Sequence, residues 1–343
     1  MAKADFEPRI KVILKAIVEN YIQTAEPVGS RTLSKMLDIG VSAATIRNVM
    51  AELTEQGFLE QRHTSAGRIP THRAYRFYVD SAERPVGVPA RSRRLIDETL
   101  AEWTGGMEKT LEMATKLLAH LTDFAGVVAA PRMNTTQLGV IEFIKISGNR
   151  IFVVLITRSN MIYNKVIEVG ENLSQEFLNS ISQYLNSQFS EQSLAEIRKK
   201  VLESLVEEKE QYDQLLAQVV RLGKKAFDFS DERTLYVEGQ YNLIKGIDDI
   251  VSVQKFLKAL EEKIAVLRIL DSAMNASGVQ VYIGLENQVE DLHEFSMVTA
   301  NYGSGDHPLG SLGVIGPTRM DYLRVIPIID YTAKVLSQSF ANQ

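Results

Sequence analysis

Cysteine is absent from the 343 residues, which excludes disulfides, thiolate metal sites and a cysteine nucleophile and fits a reducing cytoplasm. Long hydrophobic runs are missing too. The longest strongly apolar stretches, such as Ile151 to Ile156, are far too short to span a bilayer, and the opening MAKADFEPRI has no apolar signal core, so no membrane partner is expected. The five histidines, at 63, 72, 120, 293 and 307, show no metal-ligand spacing such as H-E-x-x-H, and no metal is expected. There is no phosphate loop ending in Gly-Lys-Ser/Thr and no G-x-S-x-G elbow. Asp306-His307 sits in a glycine-rich stretch, 303–310, that reads as a strand-connecting loop. No nucleophile and base can be named, so neither catalysis nor a cofactor is expected.

What is present is unevenly charged. The net charge is −5, yet residues 1–84 hold 12 Lys and Arg against 10 acidic residues, a net of +2, while the remainder holds 26 against 33, a net of −7. An acidic body behind a neutral-to-basic first segment is the pattern of a regulator with a reading head for nucleic acid. Ser42 to Thr71 concentrates that signal. Ile46, Val49, Met50 and Leu53 follow the i, i+3, i+4, i+7 rule for one buried helical stripe, and Ser42 is a candidate N-cap. The opposite face carries Ala44, Arg47, Asn48 and Ala51, with Thr45 on its flank. Small alanines let a helix settle deep in a major groove, where Arg takes two acceptors on guanine and Asn bonds adenine. Gly57 is placed to end the helix in the left-handed conformation. Phe58 and Leu59 begin a short strand, and Arg62-His63-Thr64-Ser65-Ala66-Gly67-Arg68 reads as the tip of a two-stranded wing. From Gln61 to Arg76 there are four Arg, two His and no acidic residue, a bias suited to phosphate or the minor groove.

Around this stretch the remaining elements fall in order. Residues 6–22 repeat apolar positions at Phe6, Ile10, Ile13, Leu14, Ile17, Tyr21 and Ile22, a first helix with Pro8 near its start. Glu26-Pro27-Val28-Gly29 breaks it, Ser30 is read as the cap of a short second helix, and residues 38–41 form the turn into the third. Thr71 is read as the cap of a fourth helix through Tyr75, Tyr78 and Val79. A boundary follows at residues 84–89, with two Pro and a Gly. Arg91 to Asp123 is helical with an interruption at Gly105-Gly106, and Trp103 reads as a core or domain contact. Residues 137–169 are β-branched runs separated by turn residues, an antiparallel meander. Residues 173–229 are helical, with Leu194, Ile197, Val201, Leu205, Tyr212, Leu215, Val219 and Leu222 on one face. That face either packs inside one protomer or pairs two. Next come a strand at 235–237, a helix through Val251, Leu257, Leu260, Ile264, Leu267 and Leu270, strands at 279–283, 295–302 and 309–315, and a last helix after Pro317, kinked or broken at Pro327. Strands on both sides of a helical insertion suggest one α+β domain split in the chain.

The strings EPVGSRTL (26–33), SAATIRNVMAELTEQGFLEQRHTSAGRIPT (42–71) and YRFYVD (75–80) resemble the HrcA family of heat-inducible transcription repressors, and NYGSG and IGPTRMDY extend the likeness across the chain. HTSAGRIPT is highly specific. His72 and Ala74 stand where many members carry an acidic residue and a glycine, which makes the start of the fourth helix more basic here. The resemblance implies an α+β architecture: a winged helix-turn-helix DNA-binding domain at 1–84, a linker at 85–90, a GAF-like domain at 91–170 and 236–343, and a mainly helical dimerisation segment inserted at 171–235. On that basis Thr45, Arg47 and Asn48 are the base-reading candidates, and Ser30, Arg31, Ser42, Arg62, His63, Thr64, Ser65, Arg68 and Arg73 the backbone or wing candidates. The implied protein is a bacterial cytoplasmic homodimer, associated with the nucleoid when bound, on double-stranded DNA carrying a CIRCE-type inverted repeat upstream of chaperone operons. The implied partner is the chaperonin GroEL, which keeps the repressor active until heat stress relieves it. The alternative is a regulator gated by a small molecule in the GAF-like domain, for which no convergent polar set is visible.

Overall fold

The computed structural model describes residues 6–341 except 38–39, 62–66, 82–86, 102–106, 132–135, 159–161, 191, 208–220, 228–232, 245–249, 262, 275, 288–289 and 305–306. Its head begins with α1 (Pro8–Thr24), α2 (Ser30–Met36) and α3 (Ala43–Glu55). Strands β1 (Leu59–Glu60) and β2 (Ile69–Pro70) then pair antiparallel, Leu59 opposite Pro70, and α4 (His72–Ser81) closes the unit. Ile13, Leu14, Ile17, Leu33, Ile46, Leu53, Phe58 and Tyr75 fill the core beneath these elements. The rings of Phe6, Phe58 and Phe77 meet edge to face, with Phe6 and Phe58 centroids 4.9 Å apart, a geometry that aligns ring edges with ring faces.

Gly29, not Ser30, occupies the N-cap of α2, and no side chain caps it. Val28 is pinned to Arg68 by two backbone hydrogen bonds, of 3.0 and 2.9 Å, so the chain turns into the helix immediately afterwards and Ser30 becomes a buried first-turn residue. Thr71 stands before α4, but its hydroxyl donates to the carbonyls of Gly57 (2.8 Å) and Phe58 (3.1 Å). It ties α4 to the end of α3 instead of capping its own helix.

The body starts with α5 (Ala90–Ala101), α6 (Met107–Thr122) and β3 (Ala125–Ala129). Trp103 lies outside the described residues. The chain then makes an excursion: β4 (Leu138–Ser147), β5 (Arg150–Thr157) and β6 (Ile162–Glu168) form an antiparallel three-stranded sheet, followed by α7 (Gln175–Phe189) and α8 (Leu194–Glu207). It returns as β7 (Leu235–Glu238), hydrogen-bonded beside β3, and continues through α9 (Gln240–Ile244), α10 (Ile250–Glu261), α11 (Ile264–Met274), β8 (Gln280–Ile283), β9 (Phe295–Ser304), β10 (His307–Pro317) and α12 (Tyr322–Ala341). The body sheet has the order β7-β3-β10-β9-β8, every neighbour antiparallel. Alternation along the strands sends Val128, Val298, Ala300, Leu312 and Val314 to the face shared with α5, α6 and α12, and Val127, Met297 and Ile315 to the face under α10 and α11. The chain is therefore α+β.

Three expectations change. The meander, placed from sequence with the first part of the body, packs instead with the helices that follow it: Leu138, Ile141, Phe143, Val153 and Leu155 share a core with Leu178, Ile181, Leu194, Ile197 and Leu222, separate from the cores of the body sheet. The excursion thus opens before 138, not at 171. The single helix through Val251 and Leu270 is two, because Lys263 adopts a positive φ of 44° between them. Pro327 lies inside α12 without ending it. It sits in the second turn, where the carbonyl it disturbs belongs to the first, and burial of Val325, Ile328 and Ile329 holds the helix down.

Candidate nucleic-acid interface

The site is built on α3. Ser42 Oγ accepts the Thr45 N–H at 3.1 Å and lies 3.0 Å from the Thr45 hydroxyl, which satisfies one of the free donors of the first turn. Ile46, Met50 and Leu53 are buried and Val49 half-buried, whereas Ala44, Thr45, Arg47, Asn48 and Ala51 are exposed. At the far end Gly57 has a φ of +76°, and Phe58 N–H returns to Leu53 O at 2.9 Å. A helix stabilised at both ends therefore holds a slim polar face toward solvent.

The structure divides the basic candidates into two groups. Arg31 is exposed on the first turn of α2, but Ser30 beside it is buried. Arg68 turns to the end of α3: its Nε donates to Thr54 Oγ1 at 3.1 Å, and that hydroxyl donates to Met50 O at 2.7 Å. Arg73 does the same from α4, with Nη1 donating to Gln56 O at 2.8 Å and the guanidinium 4.5 Å from the centre of the Phe58 ring. Cations at a helix C-terminus meet the partial negative charge of its last carbonyls. Arg68, next to β2, and Arg73, on α4, thereby hold the end of α3. Arg62, His63, Thr64 and Ser65 lie outside the described residues.

Sequence reasoning counted Arg76 only as part of a basic run and read His72 only as added positive charge at the start of the fourth helix, so it missed the contacts of both with the body. Arg76 faces the body, where its Nε donates to Glu286 Oε1 at 2.9 Å. His72 packs on Gly284, and its Nδ1 is 3.5 Å from the Leu285 N–H. Burial pushes the His72 pKa down, against the opposing pull of Glu60 and Glu286. No local pattern carries such contacts, since Arg76 and Glu286 are 210 residues apart. Among the described residues no cluster of His, Cys, Asp or Glu could hold a metal ion, and no helix is long and apolar enough to cross a membrane.

Residues 108–326 match the family model for the HrcA protein C terminal domain, which sets the class of the body and its excursion. The chain is 39% identical over 339 residues to the heat-inducible transcription repressor HrcA of Syntrophobacter fumaroxidans, covering 98% of this chain and 97% of that one. It is 40% identical over 336 residues to the protein of the same name from Geobacter sulfurreducens, covering 97% and 98%. The chain belongs to the HrcA family of heat-inducible transcription repressors. Its fold is similar to a solved chain described as a hypothetical protein, with a TM-score of 0.61, 23% identity and coverage of 98% and 99%.

Proposed function

We propose that this chain is a heat-inducible repressor that reads double-stranded DNA with α3, as the recognition helix of an N-terminal winged helix-turn-helix. The observation that carries the reading is the exposed face of Ala44, Arg47, Asn48 and Ala51 on a helix anchored by Ser42, Arg68 and Arg73. The consecutive Arg47 and Asn48 offer bidentate contacts to neighbouring bases, and the alanines keep the helix thin enough to enter the groove. Thr45 flanks them, Arg31 is the exposed candidate for phosphate, and the residues at the wing tip complete the contact. The body, an antiparallel sheet between two helical layers, is read as GAF-like. On the family resemblance, the operator is a CIRCE-type inverted repeat and GroEL is the partner that maintains activity.

An inverted repeat calls for two heads related by a two-fold axis, and the excursion offers the surface for pairing. Leu194, Ile197 and Leu222, read from sequence as candidates for a dimer face, are buried within the protomer. The outer face of the three-stranded sheet is not. Two cross-strand rows, Ile144–Phe152–Val166 and Val140–Ile156–Ile162, flank Glu142–Val154–Asn164, and Ile162 is 66% exposed. Contiguous apolar rows on an outer face mark an association surface. The edge of β4 is closed to strand pairing because Gln175, Ser182 and Asn186 of α7 hydrogen-bond its backbone at Lys145, Phe143 and Ile141. We therefore place the homodimer contact on the face of this sheet.

Arg47→Ala and Asn48→Ala test the reading. Each is expected to weaken operator binding by about 1–3 kcal/mol and to relax preference at one base pair. An unchanged base preference in both would overturn the assignment of α3.

A further inference from the structure

Head and body touch along a seam that α4 makes with β8 and the turn after it. Arg76 grips Glu286 with two nitrogens: Nε donates to Oε1 at 2.9 Å and Nη2 to Oε2. Nη2 also donates to the Val281 carbonyl, and Nη1 reaches Asp80 Oδ1 at 3.3 Å. A bidentate guanidinium–carboxylate pair fixes a plane as well as a distance. The carboxylate is itself held, since Glu286 Oε2 accepts the Ile283 N–H at 2.9 Å. One turn back along α4, the imidazole of His72 packs against Gly284, whose φ is +53° and where any Cβ would overlap the ring. Between them Tyr75 meets Tyr322 with ring centres 6.1 Å apart. Residues 72, 75 and 76 lie on one helical face, and each has a partner in the body.

None of these groups touches the exposed face of α3. They are linked to it nevertheless, because α4 is bound to the end of α3 by Thr71 and Arg73. The head's side of the seam and α3 are therefore joined through α4. For a two-fold dimer, occupying both half-sites requires the two recognition helices at a set separation and angle, and the gain from the second site vanishes when geometry forbids joint engagement.

We propose that Arg76–Glu286, seated on the His72–Gly284 contact, is a latch that sets the angle of the reading head on the body, which makes Glu286 and Gly284 positioning residues for operator spacing. The proposal rests on the DNA-reading function above. Opening the latch leaves each head able to bind a half-site and removes the match to the full repeat.

The full-length chain is compared with Glu286→Gln, which leaves an oxygen to accept the Ile283 N–H, and with Gly284→Ala, which opens the seam from its other end. Four duplexes are titrated: the inverted repeat, the same half-sites spread by about half a helical turn, a single half-site and a scrambled duplex. Both variants should keep the wild-type affinity for the half-site, lose roughly ten- to hundredfold on the repeat and discriminate less between the two spacings. Spin labels at Lys35→Cys in the head and Gln338→Cys in the body, introduced into a chain without other cysteines, should give one narrow distance in the parent and a shifted or broadened one in each variant. Unchanged affinity for the repeat with an unchanged label distance would overturn the latch, and so would equal losses on repeat and half-site, which mean a stability effect alone. If the parent shows no preference for the repeat over scrambled DNA, the DNA-reading function fails, and the label distance alone then decides: altered in the variants supports the latch, unaltered overturns it.

Discussion

Arg73→Ala separates a structural arginine from a DNA-contacting one. From sequence, Arg73 joins the basic run that should hold phosphate; in the structure it donates to Gln56 O at 2.8 Å and stacks at 4.5 Å over Phe58. An exposed hydrogen bond contributes about 0.5–1.5 kcal/mol, a cation near the C-terminus of a helix about 0.3–1, and an exposed cation–π contact about 0.5–1. These overlap, so the loss is set at about 2 kcal/mol of head stability. With a urea dependence of about 1–3 kcal/mol per molar, the first transition of the chain should fall by roughly 1 M. DNA binding measured well below that transition should keep its salt dependence, because no phosphate contact is lost. The contrary result is specific: a slope of log affinity against log salt reduced by about 0.9, the value for one phosphate contact, with an unchanged urea midpoint would show that Arg73 leaves Gln56 to bind the backbone of DNA.

Three further outcomes follow from particular contacts. Ser42→Ala removes the acceptor of the Thr45 N–H and should cost about 1 kcal/mol of head stability, with Ser42→Gly costing less; equal stability of Ser42→Ala and the parent in urea would mean the cap contributes nothing. His72 is held neutral by burial, its pKa below the ordinary 6.5, so the undocked chain binds the proton more readily. Its contribution is complete above that value and is lost as pH falls through the window beneath it; the urea midpoint should drop on acidification from about pH 7 to about pH 5.5, more in the parent than in His72→Gln, and parallel pH profiles would refute this. Ile144→Asp with Val166→Asp, placed across Phe152 on the outer face of the excursion sheet, should yield monomers by sedimentation while each protomer stays folded, and a stable dimer would move the interface elsewhere.

How much of this was legible in the sequence depended on the range of the interactions involved. The buried stripe Ile46, Met50 and Leu53, the Ser42 cap and the left-handed Gly57 were all readable because each is settled within one or two helical turns. The meander strands were equally plain from their β-branched runs and the turn residues between them, yet their partners were not: Phe143 packs with Leu178 and Ile181 of α7, contacts across more than thirty residues that no local pattern carries. Charge proved the least readable signal. Arg68, Arg73 and Arg76 look alike in the basic run 61–76, but the fold spends the first two on the end of α3 and turns the last into the body, while Arg31 and Arg47 outside the run stay in solvent. Pro327 and Lys263 show local rules overruled in opposite directions: packing carried a helix through a proline, while a positive φ split one at a lysine.

The central claim is that α3 reads an inverted repeat from a dimer, and it is tested most directly by titrating the full-length protein against the chaperone-operon repeat and a scrambled duplex at the same salt, with and without GroEL. The account predicts a preference of roughly 1000-fold or more for the repeat, preserved or improved by the chaperonin. Equal weak binding to both duplexes, unchanged by GroEL, would contradict it.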